Sequence, residues 1–138
     1  MRKPPSIPVG ELDHLSIAVP DLKAAADFYR DTFGCDVSDP IDLPEQNMRI
    51  AYVTLANTKI ELMEPTNSSS TIAKFIKRNP GGGLHHFCLT TPNADIAAKE
   101  AETQKLRVIG QGTGHHGRAM FFLHPKDALG TLIEIEED

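Results

Sequence analysis

The sequence repeats itself once, and this repeat constrains the fold more than any other feature. Residues 13–21 (DHLSIAVPD) and 85–93 (HHFCLTTPN) each predict a β-strand that ends at a proline. Within them, His14 and His86 each lie six residues before that proline, so the two copies are offset by 72 residues. Such self-similarity indicates two supersecondary units of the same kind.

The ends of the two copies match as well. Residues 58–62 (TKIEL) align with 131–135 (TLIEI) at an offset of 73. Each copy therefore carries a histidine near its start and a glutamate near its end, and Glu61 and Glu134 follow their histidines by 47 and 48 residues. A lone histidine in a strand is more often structural. Here, however, chance would have to account for two histidines and two glutamates at matching positions of the two copies. We interpret the pattern as functional.

Each copy is predicted to fold as βαβββ. Three of the four strands of each copy are located in the sequence, at 13–21, 48–55, 58–63, 85–93, 118–124 and 131–136, and the helices lie at 22–32 and 93–105. A short helix at 71–78 and the Gly-rich run 79–83 join the copies rather than divide domains. We therefore predict an α+β fold in which residues 1–138 form a single domain of two βαβββ repeats, about 12–64 and 84–136, whose sheets close around a shared cavity.

Strand alternation places the four matched residues on the polar face of their strands. His14, Glu61, His86 and Glu134 all lie opposite the aliphatic face of their strands, as residues that line a cavity should. A buried imidazole or carboxylate is costly unless it is paired or bound to a metal. Their N and O donors suit a divalent ion such as Co, Mn, Ni, Zn or Fe, so the cavity is predicted to be a metal site in a curved sheet.

The composition is that of a soluble globular protein, with 40% hydrophobic and 24% charged residues. The formal net charge of −5 argues against a nucleic-acid-binding protein, which would normally have a basic face. No apolar run approaches the roughly 20 residues that cross a bilayer, and residues 1–10 lack the apolar core of a signal peptide. Cys35 and Cys88 are too few for a disulfide framework, and Cys88 is predicted to be a small buried residue. We expect a soluble intracellular protein.

These residues resemble a known family, the methylmalonyl-CoA epimerases of the vicinal-oxygen-chelate (glyoxalase) superfamily. The resemblance runs from Leu12 to about Glu136. Its most specific segments are 13–22 (DHLSIAVPDL), 43–46 (LPEQ), 57–65 (NTKIELMEP), 82–86 (GGLHH) and 122–127 (FLHPKD).

The resemblance implies a paired βαβββ fold, a homodimer and a divalent metal, often cobalt, with His14, Glu61, His86 and Glu134 as ligands. In some bacterial members the second ligand is Gln, whereas Glu61 follows the animal-type form. The implied reaction is inversion at C2 of methylmalonyl-CoA, which feeds propionate-derived carbon toward succinyl-CoA. The implied compartment is the mitochondrial matrix for animal-type members and the cytoplasm for bacterial ones.

One departure affects the assignment of the catalytic bases. Some bacterial members place a glutamate, assigned as a base, at the position of Ile50. Inversion through a metal-stabilised enolate needs one group to remove the C2 proton and another to return a proton on the opposite face. Glu134 is the first candidate, as a ligand that doubles as a base. For the opposite face the candidates are Glu61, by the repeat symmetry, and Glu45.

Other charged residues are assigned to the substrate or to the surface. Lys74, Lys77 and Arg78 on the central helix, and Arg118 and Lys126 on the last hairpin, are candidates for the phosphates of CoA, although each is by itself more often a solvated surface charge. His115, His116 and His124 are predicted to be rim or surface residues, with His116 a candidate substrate contact. His85 is predicted to pack or to form a local hydrogen bond.

Three other functions fit the same scaffold. A glyoxalase I-like isomerase and an extradiol dioxygenase, with its site of two histidines and one carboxylate, are metal-dependent alternatives. A non-catalytic small-molecule binding protein is the third, and it is disfavoured because a binding protein does not need four matched ligand-type residues.

Overall fold

The computed structural model describes residues 3–138, which form two compact units. Residues 14–85 are called the first-repeat unit, and residues 3–13 with 86–138 the second-repeat unit. The first two residues of the N-terminal segment lie outside the described part. Within residues 3–138, none of the helices is long and apolar enough to cross a membrane.

The first-repeat unit has the predicted βαβββ order, followed by the joining helix. Its elements are β1 (Leu12–Ala18), α1 (Leu22–Phe33), β2 (Asp36–Val37), β3 (Ile41–Leu43), a 3-10 helix (Pro44–Gln46), β4 (Met48–Thr54), β5 (Lys59–Pro65) and α2 (Thr71–Arg78). The strand order is β2-β4-β5-β1, and β1 and β5 are parallel. The second strand of the βαβββ order is split, because β2 and β3 pair with opposite ends of β4.

The second-repeat unit repeats this order. Its elements are β6 (Gly83–Thr91), α3 (Ala94–Thr103), β7 (Val108–Thr113), β8 (Ala119–Leu123), a 3-10 helix (Pro125–Asp127) and β9 (Ile133–Glu137). The strand order is β6-β9-β8-β7, and β6 and β9 are parallel. Because β6 begins at Gly83, the last glycine of the predicted joining run belongs to a strand, which corrects the boundary of that run.

The N-terminal segment packs on the second-repeat unit, which the repeat did not predict. The backbone N–H of Gly10 donates to the carbonyl of Thr90 at 2.9 Å, and the N–H of Thr90 donates to the carbonyl of Glu11 at 3.0 Å. The side chain of Ile7 packs against the core of the same unit. The segment is therefore held by backbone hydrogen bonds and by apolar contact.

Both repeats start their long helix in the same way. The side chain of Asp21 accepts a hydrogen bond from the N–H of Ala24, and the side chain of Asn93 accepts one from the N–H of Ile96. These caps satisfy backbone donors that an α-helix leaves unpaired at its first turn. They therefore determine where α1 and α3 begin, directly after β1 and β6.

Each unit has its own apolar core on the helix side of its sheet. In the first-repeat unit, α1 packs on a cluster formed by Val19, Leu22, Ala51, Val53, Ile60 and Leu62. In the second-repeat unit, four alanines of α3 lie against Phe121, Leu123 and Ile135. The aliphatic face of each strand is thus used for packing against the long helix. The opposite face carries the matched histidines and glutamates and, in the first-repeat unit, a second apolar cluster that includes Ala18, Ile50 and Met63.

Gly82 makes the last turn before β6, and we expect Gly82→Ala to destabilise the protein. Its φ of 84° lies in the left-handed region, and a Cβ at this position would overlap the carbonyl oxygen of Ala18. The backbone strain alone costs about 1–3 kcal/mol. The Tm measured by circular dichroism should fall by several degrees. Gly81→Ala is the matched control, because a Cβ there meets no atom within 4 Å. Equal Tm values for the two variants would contradict this explanation.

Candidate metal centre

The first-repeat unit brings His14 and Glu61 together on adjacent strands. β1 and β5 are parallel, and the register pairs Ser16 with Glu61, so His14 lies two residues along the same face. The Nε2 of His14 is 3.8 Å from Oε1 of Glu61. Both residues are buried, with 5% and 7% of their surfaces exposed. The imidazole and the carboxylate predicted as ligands therefore form a buried pair.

Two hydroxyl groups hold the carboxylate of Glu61. The Oγ of Ser16, on β1, donates to Oε1 at 2.7 Å. The hydroxyl of Tyr52, on β4, donates to Oε2 at 3.4 Å. Since β5 lies between β1 and β4, Glu61 receives one hydroxyl from the strand on each side. Alternation along β1 puts Ser16 on the face of His14, whereas Tyr52 was not identified from the sequence.

The second-repeat unit forms the equivalent pair from His86 and Glu134. The Nε2 of His86 lies 3.0 Å from Oε1 of Glu134, with β6 and β9 parallel as β1 and β5 are. Exposure is 4% for His86 and 7% for Glu134. The ring of Phe122 packs edge-on against the imidazole, with 5.2 Å between centroids. The repeat in the sequence is therefore a repeat of one local structure.

The donor chemistry of the pairs fits a divalent cation. Each pair offers one imidazole nitrogen and one carboxylate oxygen, which are ligands of first-row divalent metals. Ionised carboxylates with so little exposure are costly without a compensating cation or hydrogen bonds. The pairs thus have the chemistry that the sequence predicted, one pair in each unit.

A second acidic residue of β9, Glu136, is fully buried. The guanidinium Nη2 of Arg118 is 3.6 Å from its Oε2, and the imidazole Nε2 of His116 contacts its Oε1. Burial lowers the pKa of His116 below its usual value, and the charge of Arg118 lowers it further. Glu136 was not predicted, although its spacing of two from Glu134 places both side chains on one face of the strand. His116 was predicted to be a rim residue, and its imidazole contacts this buried carboxylate.

Cys88 lies beside Glu136, and the prediction that it is a small buried residue is confirmed. Its residue exposure is 0%, and its Sγ donates to Oε2 of Glu136 at 3.8 Å. Burial raises the pKa of the thiol, and the carboxylates of Glu134 and Glu136 raise it further. A buried thiol whose pKa is raised in this way is poorly suited to act as a nucleophile.

Comparison with known proteins identifies the family. A model of the Glyoxalase/Bleomycin resistance protein/Dioxygenase superfamily matches residues 13–122. An ethylmalonyl-CoA/methylmalonyl-CoA epimerase of Cereibacter sphaeroides is 44% identical over 132 residues, which are 94% of this chain and 98% of the relative. The mitochondrial methylmalonyl-CoA epimerase of Bos taurus is 40% identical over 131 residues, 94% of this chain and 75% of the relative. This chain belongs to the methylmalonyl-CoA epimerase family.

The structural comparison agrees with the sequence comparison. A Streptomyces coelicolor methylmalonyl-CoA epimerase variant in complex with 2-nitronate-propionyl-CoA matches with a TM-score of 0.86 at 32% identity. The match covers 95% of this chain and 96% of that one. The α+β fold predicted from the repeat is confirmed, and so is the glyoxalase fold that the family resemblance implied.

The position at which some epimerases have a glutamate is apolar in this member of the family. Ile50 is fully buried in a cluster with Leu43 and Met63. Glu45, the other acidic candidate in this part of the chain, lies on the 3-10 helix Pro44–Gln46 and is exposed. It is therefore the only proposed base outside the buried pairs.

The other candidate substrate contacts are at the surface of their own units. The cations assigned to CoA are all exposed: Lys74, Lys77, Arg78, Arg118 and Lys126. His85 packs edge-on against Phe75, with 5.1 Å between centroids, so the expected packing is confirmed. His124 accepts a hydrogen bond from the N–H of Lys126 and begins a 3-10 helix. Of the six histidines, His14 and His86 are the two that are buried, and each lies beside a buried glutamate.

Proposed function

We propose that this protein is an isomerase that interconverts the 2R and 2S forms of methylmalonyl-CoA. The observation that carries the proposal is the recurrence of one buried His–Glu pair in each repeat of a chain from the epimerase family. The ligand of the Streptomyces coelicolor enzyme adds support, because a nitronate is planar and anionic like the enolate of a thioester. Membership in the family favours this reaction over those of glyoxalase I, an extradiol dioxygenase and a binding protein.

The proposed site takes its four ligands from the two pairs. In this proposal His14 and Glu61 hold a divalent ion together with His86 and Glu134. The two pairs have matched local geometry, which supports two ligands from each repeat. Their nitrogen and oxygen donors are compatible with cobalt, manganese, nickel or zinc. When bound, such a metal supplies Lewis-acid stabilisation for the negative charge of the enolate.

In this proposal, side chains of the protein remove the proton from C2 of the substrate and return one to it. A carboxylate accepts the proton from C2, and the electron pair of the C–H bond delocalises into the adjacent carbonyl groups. A second acid then returns a proton to C2 on the opposite face, so that the reaction inverts the centre without net gain or loss of protons. Glu134 is proposed as the first of these groups, and Glu61 or Glu45 as the second. Glu134 and Glu61 are equally buried, with 7% exposure each, and this burial supports either as a base because a carboxylate removed from water needs less solvent reorganisation.

The CoA portion of the substrate, the oligomeric state, the native metal and the compartment are the remaining parts of the proposal. A chain with a formal net charge of −5 needs local cations for the CoA phosphates, and the candidates are the exposed residues Lys74, Lys77 and Arg78 of α2 with Arg118 and Lys126 of the second-repeat unit. A homodimer, cobalt as the native metal and a role in propionate metabolism are proposed from the family resemblance. The proposed compartment is the mitochondrial matrix if the source is eukaryotic, as for the mitochondrial relative of Bos taurus, and the cytoplasm if the source is bacterial.

Hydrogen exchange at C2 tests the proposal directly. The purified protein is incubated with (2R,2S)-methylmalonyl-CoA in deuterated water, and incorporation of deuterium is followed by NMR. We expect rapid exchange that stops after treatment with a chelator and returns when Co²⁺ is added. A sample without protein measures the background, since the C2 proton is already acidified by two carbonyl groups.

Other outcomes would favour the alternatives. Exchange at the background rate, combined with oxygen uptake on catechols, would indicate a dioxygenase. Isomerisation of a glutathione hemithioacetal would indicate a glyoxalase I-like enzyme. Substrate binding without any exchange would indicate a binding protein.

A further inference from the structure

The environments of Glu61 and Glu134 differ, although the two pairs are related by the repeat. In the parallel ladder, Ser16 lies opposite Glu61 and Cys88 lies opposite Glu134. In the antiparallel ladder, Tyr52 lies opposite Glu61, whereas a phenylalanine takes the matching place beside Glu134. Both neighbours of Glu61 thus carry a hydroxyl, and neither ladder neighbour of Glu134 does.

The hydroxyl contacts of Glu61 have the geometry of fixed carboxylate partners. The 2.7 Å distance from Oγ of Ser16 to Oε1 of Glu61 is typical of a charge-assisted O–H···O⁻ hydrogen bond. The bond from the hydroxyl of Tyr52 to the other oxygen is longer, at 3.4 Å, and therefore weaker. Ser16 is fully buried, so water does not compete for its hydroxyl. Together these bonds restrain both oxygens of one carboxylate.

We infer that Ser16 and Tyr52 are positioning residues that hold Glu61 as a fixed metal ligand. The inference rests on the proposed function, because it concerns a ligand of the proposed site. Groups that hydrogen-bond to metal ligands typically contribute about 10–100-fold to metal affinity. Restraint of both carboxylate oxygens by hydroxyls of the neighbouring strands suits a ligand that keeps one fixed position. This assigns Glu61 to holding the metal and leaves proton transfer to Glu134 and another group.

Removing the hydroxyls tests the inference without removing the ligand. Ser16→Ala, Tyr52→Phe and the double variant are titrated with Co²⁺, and the affinity and the d–d absorption spectrum are recorded. We expect Co²⁺ affinity to fall about 10-fold or more for Ser16→Ala, less for Tyr52→Phe, and most for the double variant. The spectrum should change because the geometry of one ligand changes. Substrate turnover is measured at saturating metal, so that a change in kcat is separated from weaker metal binding.

The chain offers matched controls for both substitutions. Tyr29 is the other tyrosine of the protein and lies on α1, in contact with the apolar core of the first-repeat unit. Ser68 is exposed in the loop before α2. Tyr29→Phe and Ser68→Ala should leave Co²⁺ affinity and the spectrum unchanged. The Tm of each metal-free variant detects any general loss of stability.

The outcomes separate this inference from the proposed function. If the unsubstituted protein binds no Co²⁺ or does not exchange the C2 proton, the proposed function is wrong. If the unsubstituted protein does both, and the double variant keeps its Co²⁺ affinity and spectrum, the positioning role is overturned. A fall in metal-free Tm with unchanged Co²⁺ affinity would likewise show that the hydroxyls are structural only.

Discussion

Replacement of His86 by alanine is expected to abolish metal binding and turnover together. The side chain is almost fully buried and lies 3.0 Å from Glu134, so its loss removes a nitrogen ligand and the partner of a buried carboxylate. Loss of a direct ligand should exceed the roughly 10–100-fold cost of losing a residue that only supports a ligand. We expect kcat to fall at least about 10³-fold, because the enolate would lose electrostatic stabilisation.

Isothermal titration with Co²⁺ and the C2 exchange assay measure these two effects. Metal that binds only the folded state raises its stability by about 2.7 kcal/mol at a metal concentration of 100 Kd. The unsubstituted protein should therefore show a metal-dependent increase in Tm that the His86→Ala variant lacks. This readout does not depend on activity.

His85→Ala is the matched control for this variant. His85 is the preceding residue of the same strand and packs on Phe75, so strand alternation points it away from the face of His86. The control should bind Co²⁺ and exchange the C2 proton as the unsubstituted protein does. Full metal stoichiometry and full turnover in His86→Ala would rule out the proposed ligand role.

The residues of the pairs could be predicted from sequence because they depend on local periodicity. A strand places alternate residues on opposite faces, so His14 and His86 follow from the pattern of each strand alone. The repeat then linked each histidine to a glutamate far along the chain. The ends of α1 and α3 were predicted nearly as well, because capping residues act within one helical turn.

Contacts that depend on register between strands could not be predicted. The place of Tyr52 opposite Glu61 depends on the register of the β4–β5 hairpin, which the connecting turn sets and which the predicted strand bounds alone did not specify. The contacts of Glu136 with the β7–β8 loop likewise depend on long-range pairing, although alternation with Glu134 already placed its side chain on the same face. The packing of the N-terminal segment beside β6 is a further long-range contact without a local signal.

Glu134→Gln is expected to reduce turnover far more than Glu61→Gln. Glutamine keeps the shape and one oxygen donor of glutamate, but it cannot take up a proton at neutral pH. Loss of a general base typically costs about 10²–10⁴-fold in rate, and this is expected for Glu134→Gln. Glu61→Gln should keep kcat within about 10-fold, because its amide oxygen can still accept from Ser16 and bind a metal.

The exchange assay with separate 2R and 2S epimers refines this comparison. If Glu134 serves one face of the substrate, Glu134→Gln should lose solvent exchange from one epimer far more than from the other. Glu45→Gln tests the opposite face in the same assay, since Glu45 is the remaining acidic candidate once Glu61 acts as a fixed ligand. Loss of exchange from the second epimer in that variant would identify the second base.

Metal affinity distinguishes a ligand effect from a base effect in the glutamine variants. Both substitutions keep an oxygen donor, so Co²⁺ affinity should change to a similar and moderate extent in the two. A large loss of kcat in Glu134→Gln at saturating Co²⁺ then reports proton transfer. If Glu61→Gln were the more damaging substitution under these conditions, the roles of the two carboxylates would be reversed, and the hydroxyls of Ser16 and Tyr52 would be partners of the base rather than of a fixed ligand.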